Sequence, residues 1–265
     1  MCIGIILLVL VWMGNILYYE GKVIKEPIFL KHYYDIPQGI SNIQICYLDN
    51  INSNNRVVSI RFPELTSNFI EFNEGNYGSD GRYYDMKRLD ITLYRGDSTN
   101  IPVEYRNKLI TKAEILFSNG KDVTVDIGRI YLYSGESAPN RIKMLSSSTS
   151  NDSSTKTTFE VDENITISGI SCRFPELLKD LVKPQINGKL IDEHTFPLKI
   201  ETGGNLELAS RFYFNNKDVR QSYVYNFIID VLARNNEGKE SYATLYINYF
   251  PQSQEQFDIK ALKER

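Results

Sequence analysis

The chain opens on an unbroken apolar run. From Cys2 to Tyr19 it carries no charge, and Asn15 is its one strongly polar residue. A helix of that length rises about 27 Å, close to the hydrocarbon thickness of a bilayer. No polar stripe marks it as a soluble core helix. Tyr18 and Tyr19 stand where an interfacial aromatic belt stands. No basic residue precedes the run and no small-residue cleavage site follows it. The pattern therefore predicts an uncleaved transmembrane anchor over 1–20 rather than a signal peptide.

Beyond Glu20 the apolar positions fall into short β-prone runs. Ala113–Phe117 and Asp122–Ile127 flank Ser118-Asn119-Gly120-Lys121, and Asn-Gly between such runs is a hairpin signal. Val123, Val125 and Ile127 alternate onto one face. A second hairpin is predicted for Tyr225–Leu232 and Tyr242–Ile247, across Asn235–Lys239.

The most specific feature is a repeat. Ser59–Leu65 reads SIRFPEL and Ser171–Leu177 reads SCRFPEL. The copies lie about 110 residues apart, one domain length. Each follows a β-like run, Arg56–Ile60 or Asn164–Ser168, and each precedes one of the two hairpins. The expected fold is mainly β: the anchor at 1–20, then two tandem antiparallel β-sandwiches of immunoglobulin-like type at 21–144 and 159–251. Residues 145–158, rich in Ser and Thr, read as a linker. Residues 252–265 form a polar tail, in which Phe257, Ile259, Ala261 and Leu262 have helical spacing. This arrangement resembles single-pass bacterial surface proteins with tandem immunoglobulin-like sandwiches, which implies an extracytoplasmic interaction role.

Composition narrows the function classes. At 42% apolar and 24% charged the chain is globular, and a net charge of −3 gives no basic footprint for nucleic acid. Three cysteines make no multi-disulfide scaffold. Cys46 and Cys172 lie in different repeats and read as small apolar residues, not as a bridge. Cys2 precedes the apolar run, so it is not placed as a lipidation site behind a signal. Lys22 and Lys25 are opposed by Glu20 and Glu26, which leaves orientation to composition and architecture, and these favour an external face. Asn151-Asp152-Ser153 and Asn164-Ile165-Thr166 match glycosylation acceptors, a pattern common by chance.

Candidate sites are few. In the repeated motif, Phe62 and Phe174 are expected to plug the core, and Arg61–Glu64 and Arg173–Glu176 to pin the turn by local ion pairing. Glu71–Gly81 alternates oxygen ligands and glycines but lacks the spacing of a helical calcium loop, so a polar β-connection is expected. Among 18 tyrosines the doublets Tyr33-Tyr34 and Tyr83-Tyr84 would each turn one ring outward. Tyr83 and Tyr84 are the candidate ligand or partner contacts. His32 near Asp35, and His194 beside Asp192 and Glu193, read as solvated residues. No nucleophile elbow, zinc-protease helix or phosphate loop is present in the sequence. No catalytic, cofactor or metal site is predicted. The expectation is a membrane-anchored, non-enzymatic, extracytoplasmic interaction or structural protein whose partner is another protein or a second copy. A carbohydrate-binding accessory module is the alternative, favoured by a planar strip of exposed tyrosines. A hydrolase would need two close carboxylates in a deep cleft.

Overall fold

The computed structural model describes residues 2–37, 42–66, 70–76, 83–93, 105–133, 142–150, 152–215, 218–251 and 257–263, with side chains at all but 2, 3, 6, 7, 21 and 22. The opening apolar run forms helix α1 (Cys2–Lys22). Among the described residues no helix is long and apolar enough to cross a membrane. The expected transmembrane anchor is not shown by that criterion.

The rest is mainly β. The first unit holds β1 (Ile28–Phe29), β2 (His32–Ile36), β3 (Asn42–Asn50), β4 (Val57–Arg61), β5 (Glu71–Asn76), β6 (Tyr84–Thr92), β7 (Lys108–Phe117) and β8 (Asp122–Leu132). The second holds β9 (Lys143–Thr149), β10 (Ser154–Glu160), β11 (Ile165–Cys172), β12 (Gln185–Ile186), β13 (Lys189–Leu190), β14 (Leu198–Ile200), β15 (Asn205–Arg211), β16 (Val224–Asn235) and β17 (Glu240–Tyr249). Both predicted hairpins form, as β7–β8 and β16–β17, with Gly120 at φ 82° in the first turn.

The sequence repeat is a structural repeat. One sheet of the first unit runs β1-β3-β6-β5, and the matching sheet of the second runs β9-β10-β15-β12-β13. In the other sheet, β4 pairs with β7 and β7 with β8, just as β11 pairs with β16 and β16 with β17. Each motif ends its strand in the same turn: Leu65 N–H donates to Phe62 C=O at 2.9 Å, and Leu177 N–H to Phe174 C=O at 3.0 Å. Phe62 and Phe174 are both fully buried, each inside its own unit's core. Burial of that size is worth about 2–3 kcal/mol per ring.

Two expectations are corrected. Residues 145–158 are not a linker, because β9 and β10 pair as an antiparallel hairpin. Thr155, Thr157 and Phe159 alternate onto the buried face of β10, so threonine methyls carry the period-two signal. Nor are the two sandwiches separate and wholly antiparallel. β2 runs parallel to β8 on one side, with His32 opposite Gly128, and parallel to β16 on the other, with His32 opposite Val224. One sheet, β14-β11-β16-β2-β8-β7-β4, therefore crosses both units. Val224 of β16 packs in the first core, while Tyr33 and Tyr131 pack against the second. From the tail, a short helix α2 (Leu177–Asp180) aside, Ile259–Lys263 forms helix α3, and Phe257, Ile259 and Leu262 cover the first core.

β8 bends to receive β2. Its register against β7 shifts between Ile110 and Lys112, opposite the segment holding Gly128. Gly128 has φ +95°, and a Cβ there would meet the His32 backbone at 2.4 Å. Gly128→Ala should lower stability by about 3 kcal/mol or more, since strain and a backbone clash act together. Urea midpoints would show it; a loss under about 1 kcal/mol would mean that β2 does not pack this closely.

Candidate interaction site at the joint of the two units

The joint is built on β2, whose five residues are almost all buried. His32, expected to be solvated, is instead fully buried. Its Nε2 accepts from Cys46 N–H at 2.9 Å, so Nδ1 carries the proton and donates to Ile127 C=O at 3.1 Å. The ring thereby ties β3 to β8 across the first unit. Burial, opposed by backbone hydrogen bonds, lowers its pKa to about 4, so the imidazole is neutral.

Tyr33 points the other way. Its ring stacks on Tyr225 at 5.3 Å and on Tyr223 at 6.1 Å, and meets Phe174 edge-on at 5.5 Å. The second motif supplies the rest. Arg173 Nε lies 2.9 Å from Asp35 Oδ1, and its guanidinium sits 4.5 Å from the Tyr133 ring centroid. Glu176 pairs with Arg129, whose guanidinium lies 5.3 Å from the Phe174 centroid. The expected local pair Arg173–Glu176 does not form, because each side chain reaches into the first unit. Nor does Arg61–Glu64: Arg61 Nε donates to Glu114 at 2.7 Å, and Glu64 accepts from Thr111 N–H and Lys112 N–H at 2.9 and 3.1 Å. The same Arg and Glu thus brace a strand inside unit one and join two units in copy two.

The other expected sites are placed as follows. Tyr84 is buried against Phe257, and Tyr83 is half-buried, its ring 6.1 Å from that of Tyr19. Tyr34 is buried and donates to Gln44 C=O at 2.9 Å. None of these doublets forms an exposed aromatic strip. Residues 77–81 of the Glu71–Gly81 loop lie outside the described residues, and Glu74 is engaged by Tyr47 and by Val57 N–H. Among the described residues no cluster of metal-binding side chains is found. Cys46 is buried and Cys172 half-buried, and burial raises both thiol pKa values, that of Cys172 to about 11. His194 Nε2 contacts Ile186 C=O at 3.0 Å. Two polar clefts of about 710 and 720 Å³ flank the joint and meet at Tyr34, Gln44 and Asn226. Asp90 in the first of them is held by Gln44 and Arg88, each at 3.0 Å. Sequence reading missed the joint because its contacts link residues far apart along the chain.

No family model and no curated protein matches the chain. Among solved structures it is similar to the cadherin-like domains 1 to 4 of zebrafish RET, at 9% identity and a TM-score of 0.25. The likeness covers 85% of this chain and 51% of that one, so this chain spans about half that structure's length. At that TM-score the likeness carries no argument, and the fold rests on the strand pairing itself.

Burial raises the Asp35 pKa to about 6, against the pull of Arg173. Between the ordinary value of 3.8 and about 6 the folded chain binds the extra proton, so this group's contribution to stability falls as pH rises through 6. Arg173 offsets part of the cost of the buried charge. Arg173→Ala should therefore cost about 2 kcal/mol at pH 7, below a fully buried pair because the guanidinium is half-exposed, and about half as much at pH 5. Arg61→Ala, on an exposed pair, should cost less than about 1 kcal/mol at either pH. Chemical denaturation at both pH values checks this; equal, pH-independent losses would refute the distinction.

Proposed function

We propose that the chain is a membrane-anchored, non-enzymatic interaction or structural protein that presents two fused β-sandwich units on the extracytoplasmic side. The observation that carries this reading is α1. Five consecutive residues, Leu8 to Trp12, are each 49% to 67% exposed. Successive helical positions turn by about 100°, so five in a row cover every side of the helix. An apolar surface on all sides of one helix is solvated well by lipid and badly by water.

The exit from α1 supports the same reading. Ile24 is buried in the first core, and its N–H donates to Asn50 Oδ1 at 2.9 Å. Glu26 pairs with Lys121. The helix therefore leads into the first unit without a flexible spacer, and would hold the units in a set relation to the bilayer. The joint then carries that relation from the first unit to the second. The partner in this reading is a protein, and the exposed sheet edges offer strand addition as a mode of contact. The saccharide-binding alternative draws on an exposed tyrosine strip, and the tyrosine doublets pack inward.

The test is fractionation with one charge in mid-helix. The wild-type chain should stay with membranes through a high-salt wash. Leu10→Arg adds about 3 kcal/mol against insertion and should shift the chain to the soluble fraction. A membrane-impermeant lysine cross-linker on intact cells should modify the wild type and capture its partner. Release of the wild type by salt, or labelling only after lysis, would refute the anchor or the orientation respectively.

A further inference from the structure

We propose that Lys87 and Asp49 are an amide-forming pair: within the folded first unit their side chains condense, with loss of one water, into a covalent cross-link between β6 and β3. The inference does not depend on where the chain sits or on what it binds, and so goes beyond the reading above.

Three side chains meet on adjacent strands. Lys87 is on β6, Asp49 on β3 to one side of it and Glu74 on β5 to the other. Lys87 Nζ lies 2.9 Å from Asp49 Oδ2 and 3.9 Å from Glu74 Oε1. The Lys87, Asp49 and Glu74 side chains are only 12%, 4% and 16% exposed. At the joint, by contrast, the Arg173 side chain of the pair with Asp35 is 43% exposed. Tyr47 lies opposite Lys87, its ring centroid 5.9 Å from Nζ, and Phe29 stacks on that ring at 4.8 Å. Taking both charges out of water costs about as much as such a pair returns, so stability alone is a weak reason for it.

The contacts are those that amide formation requires. The nucleophile is oriented, since Nζ also donates to Asn55 C=O at 3.3 Å. The electrophile is polarised, since Asn50 N–H donates at 2.8 Å to Asp49 Oδ1, where negative charge develops when the carboxyl carbon is attacked. The proton carrier is fixed, since Glu74 accepts from the Tyr47 hydroxyl and from Val57 N–H at 3.3 Å. Its distance from Nζ is one that catalytic contacts close as reaction begins. Groups held in this way react as one molecule, with bulk water kept out.

The step balances without an oxidant or a co-reactant. One proton of the Lys87 ammonium passes to Asp49 Oδ2. The Nζ lone pair attacks Cγ, and a second proton moves from Nζ through Glu74 to Oδ2. The Cγ–Oδ2 bond breaks, water leaves, and the N–C bond remains as an amide. The bond ties β3 to β6 next to Asn50, which receives Ile24 N–H at the exit from α1. It therefore fastens the sheet where the helix enters the unit.

Mass spectrometry of the full-length chain, unfolded in denaturant, reads the bond. The wild type should be lighter than its sequence mass by one water. Trypsin should leave Lys87 uncut and release a branched peptide that joins His32–Arg56 to Tyr83–Arg88. Lys87→Arg should regain the missing water. Glu74→Gln keeps the size of the side chain and should stay largely unlinked, because losing a positioned proton carrier slows transfer about 100-fold or more. A wild type at its full sequence mass, cut normally after Lys87, would make the site an ion pair only and overturn the proposal, whether or not either variant folds. A missing water with no such branched peptide would overturn it equally. Glu74→Gln linked as fully as the wild type would overturn the assignment of the proton carrier.

Discussion

β2 is hydrogen-bonded in parallel to a strand of each unit, β8 on one side and β16 on the other. Most of what is distinctive in the molecule follows from making room for it. β8 must carry glycine at 128, because any side chain there would strike the His32 backbone. The imidazole must be neutral, because its Nε2 accepts from the fixed Cys46 N–H while Nδ1 donates to the Ile127 carbonyl. Asp35 must be met by a cation from the second unit, because its carboxylate is buried in the joint. A strand satisfied on both edges is also one that cannot leave either unit without exposing a row of backbone groups.

The repeated motif shows how one local device came to serve two purposes. In both copies the phenylalanine fills the core and the same turn follows it. The flanking Arg and Glu are free to reach outward. In the first copy they find Glu114 and the Thr111–Lys112 backbone on a neighbouring strand. In the second they find Asp35 and Arg129 of the other unit. The core needs only the ring and the turn, so the polar positions can change partner while the sequence stays the same.

Local physics made part of this legible. Asn119-Gly120 marked the first hairpin, and the alternation after it marked the buried face. The SxRFPEL copies marked two equivalent units and placed Phe62 and Phe174 inside. What could not be read was nonlocal or carried by weakly apolar groups. Residues 145–158 resembled a linker because serine and threonine score as polar, yet Thr155 and Thr157 are buried in β10. His32 looked solvated because its surroundings come from Ile127 and Cys46. The Arg–Glu spacing of three suggested local pairs, and strand geometry sent both side chains to other partners. The Tyr83-Tyr84 doublet suggested exposed rings, and Phe257 from the tail covers Tyr84.

If α1 lies in a bilayer, β2 is what transmits its placement to the far unit, and the two sandwiches act as a single arm rather than as beads on a string. Native-state hydrogen exchange of the β2 amides tests that claim most directly. The account predicts that the hydrogen-bonded amides of His32–Ile36 exchange as slowly as those in the middle of β8 and β16. Exchange of β2 at the rate of a fraying edge, with β8 and β16 still protected, would contradict it.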